Sequence, residues 1–235
     1  MAVQTSVSEL LALGTNTNFV FLGEAGGGKS EIALNFARAL AQMGSKPVHF
    51  FDLDMTKPLF RARDCRAQLE RMGVEVHYEE QFMDAPTLTG GVRRLLNDQN
   101  CYTVLDVGGD YIGARSIGGY APLLNRDSTT IYYVINPFRP WSATLEHIDK
   151  VLGETLGVSH VELARLRLIG NPNLGPDTTP ADVAEGARQL VDMVGPYKPV
   201  DFLCVQDRLC ELLPEELPCP VLPIQLYLTY PWISQ

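Results

Sequence analysis

The sequence predicts an α/β protein built on a doubly wound, mostly parallel sheet with helices on both faces. Short apolar, β-branched or aromatic runs alternate with helix-forming stretches along the 235 residues, which is the pattern of parallel strands joined by crossover helices. The first of these runs leads through a glycine-rich loop directly into a helical stretch. No linker or internal repeat divides the chain, so we expect a single domain over residues 1–235.

Glycines and alternating polarity divide the first half of the chain into elements. Gly44 and Gly73 each follow a helical stretch, as C-terminal glycines do. Residues 74–78 alternate apolar and polar side chains, which is typical of a strand. The predicted elements are, in order, a helix over 5–13, a strand over 18–22, a helix over 31–40, a strand over 47–54, a helix over 59–71, a strand over 74–78, a helix over 87–98 and a strand over 102–107.

The second half continues the alternation. Residues 129–136 form the most strand-like run of the chain, and Pro137 ends it. Residues 141–156 carry leucine and isoleucine at helical spacing. Pro223 assigns the last strand to an edge or a bulge. The remaining predictions are a loop over 108–113, a helix over 117–125, a strand over 167–171, a helix over 179–194 capped by Thr178 or Thr179, and strands over 201–205 and 221–228.

The glycine-rich loop fits the phosphate-binding pattern Gly-x-x-x-x-Gly-Lys-Ser/Thr at all four fixed positions. Its glycines let backbone N–H groups turn toward a polyphosphate, a lysine can reach the β- and γ-phosphates, and a hydroxyl can bind Mg²⁺. The alternative is a glycine-rich turn before an ordinary helix. The predicted nucleotide contacts are Gly23, Gly26, Gly27, Gly28, Lys29, Ser30 and Glu31, with Ser30 also a metal ligand.

Aspartates at the ends of two predicted strands are candidate metal ligands. Asp106 with Gly109 forms Asp-x-x-Gly, in which the carboxylate can hold Mg²⁺ and the glycine N–H can meet the γ-phosphate. Asp52 and Asp54 point to opposite sides of their strand, so one of them faces the nucleotide. We favour Asp54, which lies further toward the strand end and could orient the attacking water or a Mg²⁺ ligand. Capping of the following turn is the competing interpretation.

Composition excludes several classes of function. The net charge of −9 argues against general nucleic-acid binding, which needs a lysine- and arginine-rich face. Five scattered cysteines predict reduced thiols, and the absence of a long apolar run or a leader predicts a cytoplasmic protein. The histidines do not cluster along the sequence, so we expect packing or surface positions for His49, His77, His147 and His160.

Four segments together resemble the ParA/MinD-type ATPases and the related CobQ/CobB-type and metal-centre accessory ATPases. They are the glycine loop and residues 51–58, 104–109 and 169–173, which occur in the family's order and approximate spacing. The likeness covers about residues 17 to 210. It implies a P-loop NTPase fold, ATP and Mg²⁺ as ligands, and a nucleotide-dependent protein switch.

The resemblance also implies roles for individual residues. Lys29 would bind phosphate and act with Asp54 in hydrolysis, while Asp106 would be the second acidic site. Asn171 would read the edge of adenine with its amide, and the alternative for Asn171 is a turn after a strand. The segment lacks the Asn-Lys-x-Asp guanine motif, so ATP is favoured over GTP.

One position departs from the family's pattern. The family carries a second lysine directly after the first glycine of the loop, where this chain has Glu24. That lysine reaches the partner's phosphates in an ATP-sandwiched homodimer, so Glu24 counts against such a dimer. Arg115 or Lys57 could supply the missing charge. We expect Glu24→Lys to leave ATP binding intact.

Three functions remain open on the sequence alone. The leading hypothesis is a Mg²⁺-dependent ATPase switch that acts on an unidentified protein partner. The others are a small-molecule kinase or ligase of the same fold, and a nucleotide-binding module without turnover. The C-terminal segment lacks the length and basic face of an amphipathic membrane anchor.

Overall fold

The computed structural model describes residues 2–12, 14–54, 62–78 and 91–228. The strands are β1 Asn18–Gly23, β2 Val48–Leu53, β3 Val74–His77, β4 Tyr102–Val107, β5 Thr129–Ile135, β6 Leu166–Gly170, β7 Val200–Gln206 and β8 Val221–Ile224. The helices are α1 Val7–Ala12, α2 Lys29–Met43, α3 Arg66–Arg71, α4 Val92–Leu96, α5 Tyr111–Ser116, α6 Ala121–Leu124, α7 Leu145–Ser159, α8 Pro180–Val194 and α9 Asp207–Cys210.

One eight-stranded sheet organises the described part of the chain. Its strand order is β3-β2-β4-β1-β5-β6-β7-β8, and every pair of neighbouring strands is parallel. The predicted doubly wound parallel sheet is therefore confirmed. β1 lies near the centre, so the loop after it meets the loops that follow β4 and β5 at the carboxyl edge.

Helices cover both faces of the sheet, as the sequence predicts. Phe19 and Phe21 of β1 pack against α1, α2 and α3, whereas Val20 and Leu22 face the core shared with α4, α6, α7, α8 and α9. Strands buried on both faces read as continuous apolar runs, which is why these runs show little alternation. All five cysteines are free thiols, and three of them are buried.

Helix boundaries differ from the predictions, and two of the differences have a clear capping cause. The expected loop over 108–113 contains the start of α5, because the Asp110 side chain accepts the Gly113 N–H at 2.7 Å and caps the helix. The helix expected from residue 141 begins at Leu145, since Thr144 supplies its N-cap after a 3-10 turn over Pro140–Ser142. Short capping interactions therefore set these boundaries rather than apolar periodicity.

β8 lies at one edge of the sheet, where Pro223 predicts it. The N-terminal segment continues beyond it: Val221 donates to the Val3 carbonyl and accepts from the Thr5 N–H, both at 2.8 Å. The helices predicted over 59–71 and 87–98 extend partly outside the described residues, within which α3 and α4 lie. Among the described residues, we find no helix with the length and apolarity needed to span a membrane.

Candidate functional site

The glycine loop joins the end of β1 to the start of α2 at the carboxyl edge of the sheet. Gly28 caps α2 with φ 93° and ψ 12°, a left-handed conformation that disfavours residues with a Cβ. A Cβ at Gly28 would also overlap the side-chain amide of Asn171. The loop therefore needs glycine here for both its backbone angles and its close neighbour.

Lys29 and Ser30 are buried in the first turn of α2. The Lys29 ammonium donates to the carbonyl oxygen of Glu24 at 2.9 Å, so the lysine folds back over the loop that it follows. The Gly27 N–H donates to the same carbonyl at 3.1 Å. These bonds hold the loop in a compact turn, with the ammonium above its backbone.

The loop after β4 lies directly against the glycine loop. A Cβ built on Gly109 would be 2.6 Å from the Lys29 ammonium and would overlap the backbone nitrogen of Ala25. Next to it, a Cβ on Gly108 would be 3.2 Å from Oδ1 of Asp54. The structure thus brings together Lys29, Gly109 and Asp54, which are far apart in sequence.

Two aspartates on neighbouring strands are in register beneath this loop. Asp52 of β2 is the partner position of Asp106 on β4, and both are buried. Oδ1 of Asp52 also accepts the Asp54 N–H at 3.1 Å. Capping, the competing interpretation for this pair, therefore applies to Asp52, while Asp54 lies beside Gly108. Carboxylate and hydroxyl oxygens of Asp106, Asp54 and Ser30 are the hard donors that Mg²⁺ prefers.

Asn171 lies behind the glycine loop at the end of β6. Its Nδ2 donates to the Gly27 carbonyl at 2.8 Å, and its backbone N–H donates to the Ile135 carbonyl. Its Oδ1 is buried and has no hydrogen-bond partner among the described residues. We expect the amide to offer a base both a donor and an acceptor; in this structure one Nδ2–H is engaged by the loop, and Oδ1 is the atom without a partner among the described residues.

Arg139 lies at the candidate site, although the sequence around it does not predict this position. It follows β5, and its Nε donates to the Gly26 carbonyl at 3.1 Å, which places the guanidinium on the glycine loop. Of the two cations expected to replace the missing lysine, Arg115 is exposed in the last turn of α5, and Lys57 lies outside the described residues. Only the register of β5 beside β1 brings Arg139 to the loop, and no local motif marks it.

Glu24 is turned inward beneath the loop. It is only 8% exposed, and its Oε1 has no hydrogen-bond partner among the described residues. Burial raises the pKa of the Glu24 carboxyl; Lys29 opposes this and Glu154 adds to it. A side chain buried here cannot extend to a partner subunit. Our expectation that Glu24→Lys leaves ATP binding intact is also at odds with this burial, because the new ammonium would be desolvated beside Lys29.

Glu31 has a structural role that its position in the motif does not indicate. Its carboxylate accepts the backbone N–H groups of Tyr227 at 2.9 Å and Leu228 at 2.8 Å. The side chain therefore holds the C-terminal segment against α2. Because the carboxylate is engaged there, the predicted nucleotide contact of Glu31 would be made by its backbone N–H in the first turn of α2.

Comparison with solved structures bears on the fold. Chloroplast FtsY from Physcomitrella patens matches with a TM-score of 0.50 and 17% identity, over 80% of this chain and 58% of that chain. The fold is that of a P-loop NTPase. The cell division protein FtsY from Thermotoga maritima matches with a TM-score of 0.49 and 17% identity, over 81% of this chain and 62% of that chain. This chain thus spans about three fifths of the length of either protein.

The likeness supports the P-loop NTPase fold without assigning a family. FtsY from Elizabethkingia anophelis, solved in complex with GDP, matches with a TM-score of 0.38, too low to inform the nucleotide of this chain. No protein-family model matches the chain. No curated protein matches it either. The ParA/MinD-type assignment therefore depends on the sequence segments alone.

Proposed function

We propose that this chain binds ATP with Mg²⁺ and acts as a ParA/MinD-type ATPase switch on a protein partner. The observation that carries the proposal is the contact of Gly109 with Lys29. A γ-phosphate held by the Lys29 ammonium would lie beside the Gly109 N–H, as expected for Asp-x-x-Gly. Ser30 and Asp106 would hold Mg²⁺, which neutralises phosphate charge when bound.

The amide of Asn171 favours adenine over guanine. With one Nδ2–H bonded to the Gly27 carbonyl, the side-chain atom without a partner among the described residues is the oxygen. An oxygen accepts from the N6 amino group of adenine, whereas the corresponding O6 of guanine is itself an acceptor. The unpartnered oxygen would thus gain a donor from ATP.

Arg139 supports phosphate binding in the absence of the family's second lysine. Its guanidinium already lies on the Gly26 carbonyl, and it carries further N–H donors that can reach an anion bound in the loop. Because this cation comes from the same chain, the proposal does not require a nucleotide-sandwiched dimer.

A surface that could report the nucleotide state lies next to Gly108 and Gly109. Gly113 of α5 packs on the Gly108 backbone, so a shift of the loop would move α5. Tyr111 and Ile112, at the start of α5, are 56% and 59% exposed despite their apolar side chains. Such residues are suited to protein contacts, and their proximity to the phosphate loop favours a switch over a small-molecule enzyme.

The test is calorimetric titration with Mg·ATP and Mg·GTP of the wild-type chain, Lys29→Ala and the matched control Lys150→Ala, whose lysine is exposed on α7. We expect the wild type and the control to bind ATP more tightly than GTP. Lys29→Ala should weaken ATP binding by about 100-fold, since a charge-assisted hydrogen bond is worth about 1.5–3 kcal/mol. Equal ATP affinity of Lys29→Ala and the control would refute the phosphate site, and tighter GTP binding would refute the adenine assignment.

Turnover distinguishes a switch from a binding module. Asp54→Asn is expected to lower the rate of ATP hydrolysis while leaving ATP affinity within about twofold, because Asp54 would act on the attacking water. Hydrolysis should rise on addition of a partner protein. Stimulation by a small molecule alone would instead support the kinase or ligase, and binding without any turnover would support the module.

A further inference from the structure

Two histidines and a glutamate meet on the β2–β3 edge of the sheet, away from the glycine loop. β2 contributes His49, and β3 contributes Glu75 and His77. The parallel register pairs His49 with Glu75, and side chains two residues apart on a strand share a face. His49 and His77 are 28 positions apart in sequence, so the pairing of β2 with β3 brings them together.

The donor atoms of the three side chains have the spacing of ligands on one metal ion. His49 Nδ1 is 3.1 Å from His77 Nε2, Glu75 Oε2 is 3.3 Å from His49 Nδ1, and Glu75 Oε1 is 3.5 Å from His77 Nε2. Zinc binds such ligands at about 2.0–2.1 Å, so two of its ligands at a tetrahedral angle stand about 3.3 Å apart. All three separations lie close to that value.

Neighbouring side chains hold the two imidazoles in place. The His77 ring stacks on Phe51 with ring centroids 4.5 Å apart and planes inclined by 17°. Both histidines are partly buried, while the Glu75 side chain is 65% exposed. The nitrogens are thus presented by rigid strands, and the open side next to Glu75 gives an ion access and leaves room for a water ligand.

A hydrogen bond between two neutral imidazoles would explain one of the three distances. In that arrangement one ring nitrogen donates to the other, and Glu75 would serve as a surface residue beside them. It does not account for the Glu75 carboxylate, which places one oxygen within 3.5 Å of each of the two facing nitrogens. Among the residues that the structure describes, no other three His, Cys, Asp or Glu side chains bring potential ligand atoms within 4.8 Å of one another.

We propose that His49, Glu75 and His77 bind Zn²⁺ or a similar divalent transition-metal ion. Two imidazoles and a carboxylate are a ligand set that such ions accept, with water in the fourth position. The site is separate from the expected Mg²⁺ position, because His49 precedes Asp52 by three strand residues, roughly 10 Å. Mg²⁺ prefers oxygen ligands, so the two ions would not compete.

The test is Zn²⁺ titration of the tag-free protein by calorimetry, repeated with Co²⁺ and followed by its visible absorption. The variants are His49→Gln, His77→Gln and Glu75→Gln, with His147→Gln as the control because His147 is exposed on α7. We expect the wild type and the control to bind one Zn²⁺ per chain. Each histidine variant should bind at least about 100-fold more weakly, since removing even a supporting group of a metal ligand costs 10–100-fold.

Glu75→Gln keeps the test independent of folding, because Glu75 is exposed and its replacement is nearly isosteric. This variant should weaken Zn²⁺ binding by about tenfold or more and remove the tetrahedral Co²⁺ absorption, with an unchanged circular dichroism spectrum. Absence of saturable Zn²⁺ binding to the wild type would overturn the proposal. Equal affinity of the wild type and the histidine variants, or an equal loss in His147→Gln, would overturn it as well.

Discussion

At the scale of single residues, Glu24 is a buried side chain that can carry a charge. Its carboxyl has a raised pKa because it lies beneath the glycine loop, so its ionised form is disfavoured in the folded chain. An acid whose folded pKa exceeds its unfolded pKa lowers stability as it ionises. The free energy of unfolding should therefore fall as pH rises from the ordinary glutamate pKa through the raised one.

Glu24→Gln is expected to remove this pH dependence. Below the ordinary pKa of glutamate, the variant and the wild type should have similar stability, and at neutral pH the variant should be more stable. Urea unfolding between about pH 4 and pH 8 measures the difference. Glu146→Gln is the control, because Glu146 is exposed on α7, and it should follow the wild type. Parallel pH profiles for Glu24→Gln and the wild type would rule out an unfavourable buried charge at this position.

At the scale of single elements, the start of α8 shows a reciprocal capping box. The Thr179 hydroxyl accepts the Asp182 N–H at 3.2 Å, and the Asp182 carboxylate accepts the Thr179 N–H at 2.8 Å. The sequence predicts a cap at Thr178 or Thr179, and the structure places it at Thr179, which precedes a proline and lies three residues before an acid.

Thr179→Ala should destabilise the protein by about 1 kcal/mol, the usual effect of losing an N-cap side chain. Denaturant unfolding at neutral pH measures the change. Thr179→Ser keeps a hydroxyl at the cap and should retain most of the stability. If serine and alanine at this position were equally destabilising, the lost methyl group rather than the cap would be responsible.

Elements marked by several consecutive residues agree with the structure, whereas features decided by one side chain or by tertiary contacts were not predicted. The glycine loop and the strand before it are recognisable because the needed residues are consecutive. The start of α5 was missed because one aspartate side chain decides it. Arg139 and the His49–His77 pair could not be predicted, since the order and register of strands distant in sequence bring them to their neighbours.

At the scale of the whole molecule, the parallel sheet gathers the candidate nucleotide site from all along the chain. The loops after β1, β2, β4, β5 and β6 all contribute residues because parallel strands place their carboxyl ends at one edge. The same sheet separates the proposed Zn²⁺ site from that edge, since the site uses the second residue of β2 and the outer strand β3. Two sites of different chemistry thus fit on one sheet.

Contacts between α2 and the end of the described chain give a further whole-molecule prediction. Glu31→Gln removes a charged acceptor from the backbone N–H groups of Tyr227 and Leu228. Hydrogen exchange of these two amides should accelerate roughly tenfold, in line with the loss of about 1.5 kcal/mol from a charge-assisted bond. The amides of β7 provide an internal control and should be unaffected. Unchanged exchange at Tyr227 and Leu228 would mean that Glu31 does not hold this segment.

The Glu31 contact connects the phosphate loop with the segment at residues 227–228. Ser30, whose hydroxyl is proposed to bind Mg²⁺, and Glu31, which holds residues 227–228, are consecutive in one helical turn. A ligand that moves this turn would alter the hold on the C-terminal segment. Coupling free energies are reciprocal. If the nucleotide changes the affinity of this segment for a second molecule, binding of that molecule would change the nucleotide affinity by the same factor. A molecule bound at residues 227–228 would then regulate nucleotide binding by the phosphate loop.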